Sequence, residues 1–507
     1  MRPRLSMNLH ERSTVRPPRR ASSAVLTQGE PGSIRMLMGL RHPDVPTFPE
    51  FWAFPGGGVS KEDIEYARKR SGSGDDVQSM ESLVTLFREV VEETGLSKGE
   101  GGNWVVVPPS VRKKLVEGPG AWTEALARGV ITADMAGASL VTERTTPPLA
   151  PVRYTNRFYH IHLGEYAPEP EHPPGRSEFT EFKWWNPEDI LEQWEQGTAR
   201  MAPPQVTFMR DIVDRCSEGR GVLEILSELA GKPPIGPHKI EFAPGVECLP
   251  IPTATLPPST HTNCFIIGQG DDLLLVDPAI QDEEGQAIIV GRLNELESCG
   301  KRIKSILYTH RHTDHIGDRA RIRKIVDVEV LGTSETLAAI GGGTVIKEGD
   351  IIDLDDNLPW KVIETPGHCP GMVSLISKSG LLSADNVTMV GTILVPSADG
   401  DMHQYMNGLE RLSAMSPNLL FPSHGPVCAA PLRVLSRTLN HRMDRHSKVL
   451  NAVRGGLSSL GDIALSAYKD APGAPESLVR DQTLSHLRGL VKEGLVNEKG
   501  DVFTTTG

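Results

Sequence analysis

The chain has 507 residues, with 53 Lys and Arg against 65 Asp and Glu, a net charge of −12. That length exceeds one ordinary hydrophobic core, so roughly two to four domains are expected. The acidic balance argues against general attraction of the surface to nucleic acid, leaving only a local basic groove for that role. No apolar run approaches the ~18 residues of a membrane span. The six cysteines show no paired spacing, which points to free thiols, a reducing compartment and a cytoplasmic protein.

Residues 1–20 carry Arg2, Arg4, Arg12, Arg16, Arg19 and Arg20 with one acid, Glu11. They lack the apolar core of a secretory signal. They read as a disordered basic arm, with an organelle-targeting segment as the alternative.

A first domain is expected over 21–230. Phe54-Pro55-Gly56-Gly57-Gly58-Val59 is a glycine turn after an apolar strand. Downstream, Arg88-Glu89-Val90-Val91-Glu92-Glu93-Thr94-Gly95-Leu96 places Glu89, Glu92 and Glu93 on one helix face, and Gly95 stops the helix. Clustered carboxylates repel one another unless cations lie between them, and hard oxygen ligands suit Mg2+ or Mn2+. These segments resemble the two halves of the Nudix hydrolase box. The resemblance implies an α/β/α fold, metal ligands Glu89, Glu92 and Glu93, a catalytic role for Glu93, a supporting role for Arg88, and substrate contact at Gly57 and Gly58. One departure stands out. Gly57 lies 31 residues before Arg88, more than double the family spacing, and the insert Lys61–Ser79 is charged and Gly/Ser-rich. The upstream acid is therefore unassigned among Glu62, Asp63 and Glu81. The insert, with Arg157-Phe158-Tyr159, Glu178, Trp184 and Pro203-Pro204, is similar to the subfamily that hydrolyses coenzyme A and related diphosphates. Glu178 is then a further carboxylate or base.

Gly231-Lys232-Pro233-Pro234-Ile235-Gly236-Pro237 reads as a linker, 231–239. The next domain, 240–435, alternates strand and turn signals. Leu273–Val276 is a strand ending in Asp277. Ala287, Ile288, Leu293 and Leu296 share a helix face that Gly300 ends. Ile303–Tyr308 is a buried strand, and the loop leaving it reads Thr309-His310-Arg311-His312-Thr313-Asp314-His315-Ile316-Gly317. Imidazole and carboxylate together suit zinc and related metals. His368 in the turn 364–371, Asp385 after an apolar run, and His424 after Leu420-Phe421-Pro422-Ser423 extend the set.

Motif by motif, this stretch resembles the metallo-β-lactamase superfamily, which implies an αββα sandwich and two Zn2+ (or Mn2+) ions. Carried over by position, His310, His312, His368 and Asp385 would hold one ion. Asp314, His315, His424 and the shared Asp385 would hold the other, with Asp314 also catalytic. Asp277 would orient a ligating histidine. Ala384 stands where the family has glycine.

Residues 436–507 read as helices over 429–453, 460–468 and 477–493, the first beginning before the boundary, followed by a β-like tail over 495–503, similar to a winged helix. Its third helix carries Arg480, His486, Arg488 and Lys492 beside Asp481 and Glu493, a mildly basic face. Nucleic-acid contact, capping of the metal domain and formation of a homodimer stay open. The order of motifs after Asp385 resembles a lactamase-β-like subgroup of endoribonucleases that prefer single strands. The leading expectation is an α/β multidomain hydrolase: an RNA phosphodiesterase fused to a Nudix diphosphatase. The alternatives are an acyl-coenzyme A thioester hydrolase joined to a coenzyme A diphosphatase, and a ligand-sensing regulator. The partners expected are RNA or a nucleotide- or coenzyme A-type small molecule, with no membrane.

Overall fold

The structure is a computed structural model that describes residues 14–71, 75–99, 102–117, 120–129, 131, 137–175, 177–354 and 357–506. It divides into two compact units, Arg16–Pro244 and Gly245–Gly507. Among the described residues, no helix is long and apolar enough to cross a membrane.

The first unit is built on strand Arg19–Gln28. It runs parallel to Tyr154–His162, in register from Arg19 opposite Tyr154 to Thr27 opposite His162, and antiparallel to Arg35–Arg41. Alternation decides its layers. Ala24 and Leu26 face helix Asp75–Thr94 and its Val84, Phe87 and Val90. Val25 between them faces the opposite core of Trp194, Phe208 and Ile225, which come from helices Pro187–Glu195, Pro203–Ser217 and Val222–Gly231. A sheet buried on both faces needs such near-continuous apolar runs.

Three expectations shift. Most of the basic arm, residues 1–13, lies outside the described residues, and Arg19 and Arg20 already belong to the first strand. The Gly/Ser-rich insert is largely helical: Lys61–Ser71 forms one helix and Asp75 opens the next. The overlooked signal is a capping box. Ser60 Oγ accepts from Asp63 N at 3.1 Å, and Asp63 Oδ2 accepts from Ser60 N at 2.9 Å. The segment read as a linker is partly a sheet edge. Ile235–Gly236 pairs with Glu143–Arg144, and Pro234 O accepts from Glu143 N at 3.0 Å.

In the second unit, strands Val246–Pro252, His261–Ile267, Asp272–Val276, Arg302–Leu307, Glu329–Gly332 and Thr344–Val345 follow one another across one sheet. Strands Ile351–Ile352, Trp360–Glu364, Val373–Ser377, Gly380–Ala384 and Leu420–Pro422 form another. The sheets face each other through Phe265 and Phe421, edge to face at 6.0 Å, and through Asn263, whose amide donates to Pro422 O and Gly425 O at 2.8 Å. Helix Glu283–Ser298 covers the first sheet and helix Met402–Ala414 the second, completing four layers.

The covering helix Glu283–Ser298 buries Gly285, Ile289 and Leu296, and leaves Ala287 exposed. A glycine sets this choice. A Cβ at Gly285 would meet Ile251 Cγ2 at 3.0 Å, so the helix lies close on that side. Helix Pro431–Arg454 runs unbroken across the expected boundary at 435/436. Val434 and Leu435 pack in the outer layer of the sandwich, whereas Val449, Ala452 and Val453 pack with helices Leu460–Ala467 and Glu476–Lys492 and the terminal hairpin Val496–Lys499/Val502–Thr505.

One buried histidine makes the first unit acid-sensitive. His160 Nε2 lies 2.8 Å from Thr27 Oγ1, and burial, with His162 beside it, presses its pKa down to about 4. The unfolded chain takes up that proton near the ordinary pKa of about 6.5. The stability tied to neutral His160 is therefore present above about pH 6.5 and lost as pH falls toward about 4. Thermal unfolding of the parent chain and of His160→Gln across this window checks the sign: the parent loses more stability on acidification.

Candidate metal centre

Strand ends converge on one spot. Arg302–Leu307 delivers the loop bearing His310 and His312, and the short helix Thr313–Ile316 carries Asp314 and His315. The turn after Trp360–Glu364 carries His368. Gly367 is required there, because a Cβ would meet Tyr405 N at 2.4 Å. Asp385 follows Gly380–Ala384, and His424 follows Leu420–Pro422.

The seven side chains expected at this site come together. His310, His368 and Asp385 present ligand atoms within 4.8 Å of one another, as do Asp314, His315 and His424. His312 Nδ1 lies 2.8 Å from His368 Nε2. Asp385 spans the groups: its Oδ2 is 3.5 Å from His368 Nε2, and its Oδ1 is 3.5 Å from both His315 Nε2 and His424 Nε2.

The outer nitrogens are tied down. His315 Nδ1 sits 2.9 Å from Asp277 Oδ2, and Asp277 also accepts from Thr309 N at 2.8 Å and Thr309 Oγ1 at 2.6 Å. His368 Nδ1 donates to Leu394 O at 2.6 Å, and His424 Nδ1 to His261 O at 2.9 Å. His312 Nε2 lies 3.1 Å from Asp399 Oδ2, and Asp399 also pairs with Arg311. Such contacts fix which nitrogen faces inward. Sequence reading found Asp277 but missed Asp399, and no local spacing marks the carbonyls of Leu394 and His261.

Charge differs across the site. Burial presses His310 well below its ordinary pKa, and burial with His368 nearby brings His312 to about 4, so both are neutral. Burial opposes charge on His424 as well, but Asp385 and the bond to Asp314 hold it up at about 10. His315 is raised against burial by Asp385 and Asp314. One half thus offers neutral imidazoles, and the other pairs imidazoles with carboxylates. His310 Nε2, His315 Nε2 and Asp385 Oδ1 are buried without hydrogen-bond partners. Orphaned polar atoms of complementary ligand chemistry, aimed at one space, fit a divalent cation.

Two residues at the site sit at backbone positions that side chains rarely adopt, one a carboxylate and one the alanine before a carboxylate. Asp277 has φ 47°, and Ala384, just before Asp385, also has φ 47°. This is left-handed geometry, natural for glycine and strained for alanine. The Ala384 methyl is wholly buried with Cys369 and Met372, a contact glycine would forfeit.

In the first unit, Glu89, Glu92 and Glu93 also gather. Burial raises Glu89 to about 7 and lifts Glu92 and Glu93 above the ordinary range, and Glu89 adds to the effect on Glu93. Arg88 ties the cluster. It donates to Asp63 Oδ1 at 3.0 Å, Glu92 Oε2 at 2.9 Å and Gly58 O at 3.2 Å, and pairs with Glu89 Oε1 at 2.9 Å. Of the three acids left open upstream, Asp63 is the one bonded to Arg88, whereas Glu81 pairs with Arg20, and Glu62 Oε1 accepts from Gly120 N at 2.8 Å. Gly57 admits the cluster, since a Cβ there would lie 2.2 Å from Glu89 Oε1, and Gly56 N donates to Glu93 Oε2 at 2.8 Å. Glu178, 60% exposed and 3.5 Å from Arg41, lies near enough to Glu93 for its charge to add to the rise there.

The fold and the paired imidazole–carboxylate cages define a class. Residues 258–424 match the Metallo-beta-lactamase superfamily. The C-terminal half of the chain carries a domain of that superfamily, and its homologues are metal-dependent hydrolases. The chain is 27% identical over 252 residues to a beta-lactamase-like protein 2 homolog of Drosophila melanogaster, covering 46% of this chain and 83% of that protein. An atrochrysone carboxyl ACP thioesterase of Aspergillus fumigatus is 24% identical over 198 residues, covering 38% and 60%. A NUDIX hydrolase structure from Alicyclobacillus acidocaldarius aligns with 40% of this chain and 93% of its own, at 26% identity and a TM-score of 0.35.

Asp277→Asn tests the support under His315. An amide cannot accept from Thr309 and hold the His315 ring in the same way. Zinc affinity measured by chelator competition is expected to fall about 10- to 100-fold, with the fold retained.

Proposed function

We propose that the C-terminal half hydrolyses an ester or thioester with two divalent ions. His310, His312, His368 and Asp385 would hold one, and Asp314, His315, His424 and the shared Asp385 the other. The donor set suits zinc, with manganese as the alternative. Bound there, such ions supply an activated water at neutral pH and a positive field for a developing oxyanion. The chain's own groups do the rest. Asp385, reaching both cages, sets the spacing between them. Asp314, beside the cleft and kept ionised against burial by His315 and His424, is placed to orient the attacking water.

The cleft itself carries the choice of substrate. A cavity of about 210 Å³ opens over the cages, walled by Thr255, Leu256, Thr388, Val390, Ile393 and Leu394 among others. Among the described residues, its walls include no lysine or arginine. Such walls suit an uncharged acyl chain better than a polyphosphate backbone, whose binding rests on cations. This moves the thioester reading ahead of the RNA reading. A named thioesterase among the relatives agrees with it.

RNA remains the second reading, favoured by one observation. The C-terminal helix Glu476–Lys492 places Arg488 and Lys492 against the 391–401 loop that walls the cleft.

The first unit is read as a Nudix-type diphosphatase in which Glu89, Glu92 and Glu93 hold Mg2+ or Mn2+ and Arg88 fixes them. The support is the set of raised, crowded carboxylates under Gly57. Acyl-coenzyme A carries both bonds, a thioester and a diphosphate, and would unite the two activities.

Two measurements test these readings. Acyl-coenzyme A and an unstructured RNA oligonucleotide are offered to zinc-loaded protein and to Asp314→Ala. Thioester hydrolysis that falls about 10²- to 10³-fold in the variant is expected, and RNA cleavage without thioester hydrolysis overturns the choice. Separately, Glu93→Gln is expected to abolish Mg2+-dependent release of phosphopantetheine from coenzyme A while leaving thioester hydrolysis at parental rate. Equal loss of both activities refutes two independent sites.

A further inference from the structure

The segment Gly391–Asp401 touches the metal-ligand set on one side and the C-terminal helices on the other. On the inner side, Leu394 O accepts from His368 Nδ1 at 2.6 Å, and Asp399 Oδ2 lies 3.1 Å from His312 Nε2. Thr392, Ile393, Leu394 and Pro396 also wall the cleft. The segment has no helix or strand between Gly391 and Asp401, so its own backbone ladder does not fix it.

On the outer side, helix Glu476–Lys492 and helix Pro431–Arg454 supply the missing bonds. Gln482, buried, accepts from Val395 N at 3.3 Å and donates to Val395 O at 3.0 Å, as a neighbouring strand would. Asp481 Oδ1 accepts from Ser397 N at 3.2 Å and Ser397 Oγ at 2.6 Å. Arg488 donates to Ser397 O at 2.6 Å, and Arg442 donates to Thr392 Oγ1 at 3.2 Å and to Ile393 O. Lys492 pairs with Asp401.

Resting on the metal reading above, we infer that Gln482 and Asp481 are positioning residues for the cage of His310, His312 and His368. They hold Leu394 O and Asp399 where those groups orient His368 and His312. The other cage takes its orientation from Asp277 and His261, neither of which lies on this segment. The C-terminal module should therefore tune one metal position and leave the other alone. A merely structural role would weaken both.

The test uses the full chain and Co2+ as the probe, read by visible absorption during titration. Gln482→Leu removes both bonds to Val395. It is compared in two backgrounds, Asp314→Ala, which leaves the His310/His312/His368 cage, and His368→Ala, which leaves the other. Gln482→Leu is expected to weaken Co2+ about 10- to 100-fold and alter the absorption envelope in the first background, with no change in the second. Gln482→Asn, which keeps the amide, should recover part of the loss. Phe503→Ala loosens the core of the same module, where Phe503 is 2% exposed, without touching the segment, and is expected to leave Co2+ affinity as in the parent.

Equal affinities with and without Gln482→Leu in both backgrounds overturn the positioning role while leaving the metal reading intact. The same loss in Phe503→Ala also overturns it, by reducing the effect to module stability. A parent chain that takes up no Co2+ overturns the metal reading, and this inference with it.

Discussion

A carboxylate buried at the end of a strand governs the C-terminal half. Asp385 is 6% exposed and faces imidazoles on both sides. An isolated buried carboxylate costs several kcal/mol, so the surrounding groups must compensate it. His424 and His315 do so against burial, holding Asp385 well below its ordinary range. The strained φ of Ala384 places this carboxylate, and the two facing sheets bring the histidine-bearing loops to it. The four-layer architecture thus sets the distance between opposite-charge partners.

The first unit solves a related problem with the opposite sign. Three glutamates crowd one helix face, and Arg88 alone does not neutralise them. Burial without full pairing leaves the acids protonated or bound to cations. Asp63 anchors the far side of the guanidinium, so Arg88 is held in a fork rather than left free to follow one acid.

Much of the candidate metal site was legible from spacing. Histidines and aspartates next to strand ends are rare enough to read locally, and each of the seven reached the same place. Features set by tertiary contact were hidden. Asp399 lies in an irregular segment whose neighbours give no pattern. Leu394 and His261 act through backbone carbonyls, which every residue owns. In the first unit, the helix-forming capping box of Ser60 and Asp63 was obscured by the Gly/Ser-rich stretch after it. Periodicity placed Ile288, Leu293 and Leu296 on the packed face of helix Glu283–Ser298 and missed only that Ala287 is exposed while Gly285 is buried. Packing changes core after Leu435, near the expected boundary at 435/436, although helix Pro431–Arg454 continues across it.

That unbroken helix, Pro431–Arg454, has a consequence for modularity. One end is packed into the sandwich and the other into the terminal module. The two cores are tied by a hydrogen-bonded rod that runs from Val449, Ala452 and Val453 back to Val434 and Leu435. The module and the sandwich thus share one covalent and hydrogen-bonded element while keeping separate cores. Evolution could not shuffle this module away as an independent cassette without cutting through a helix.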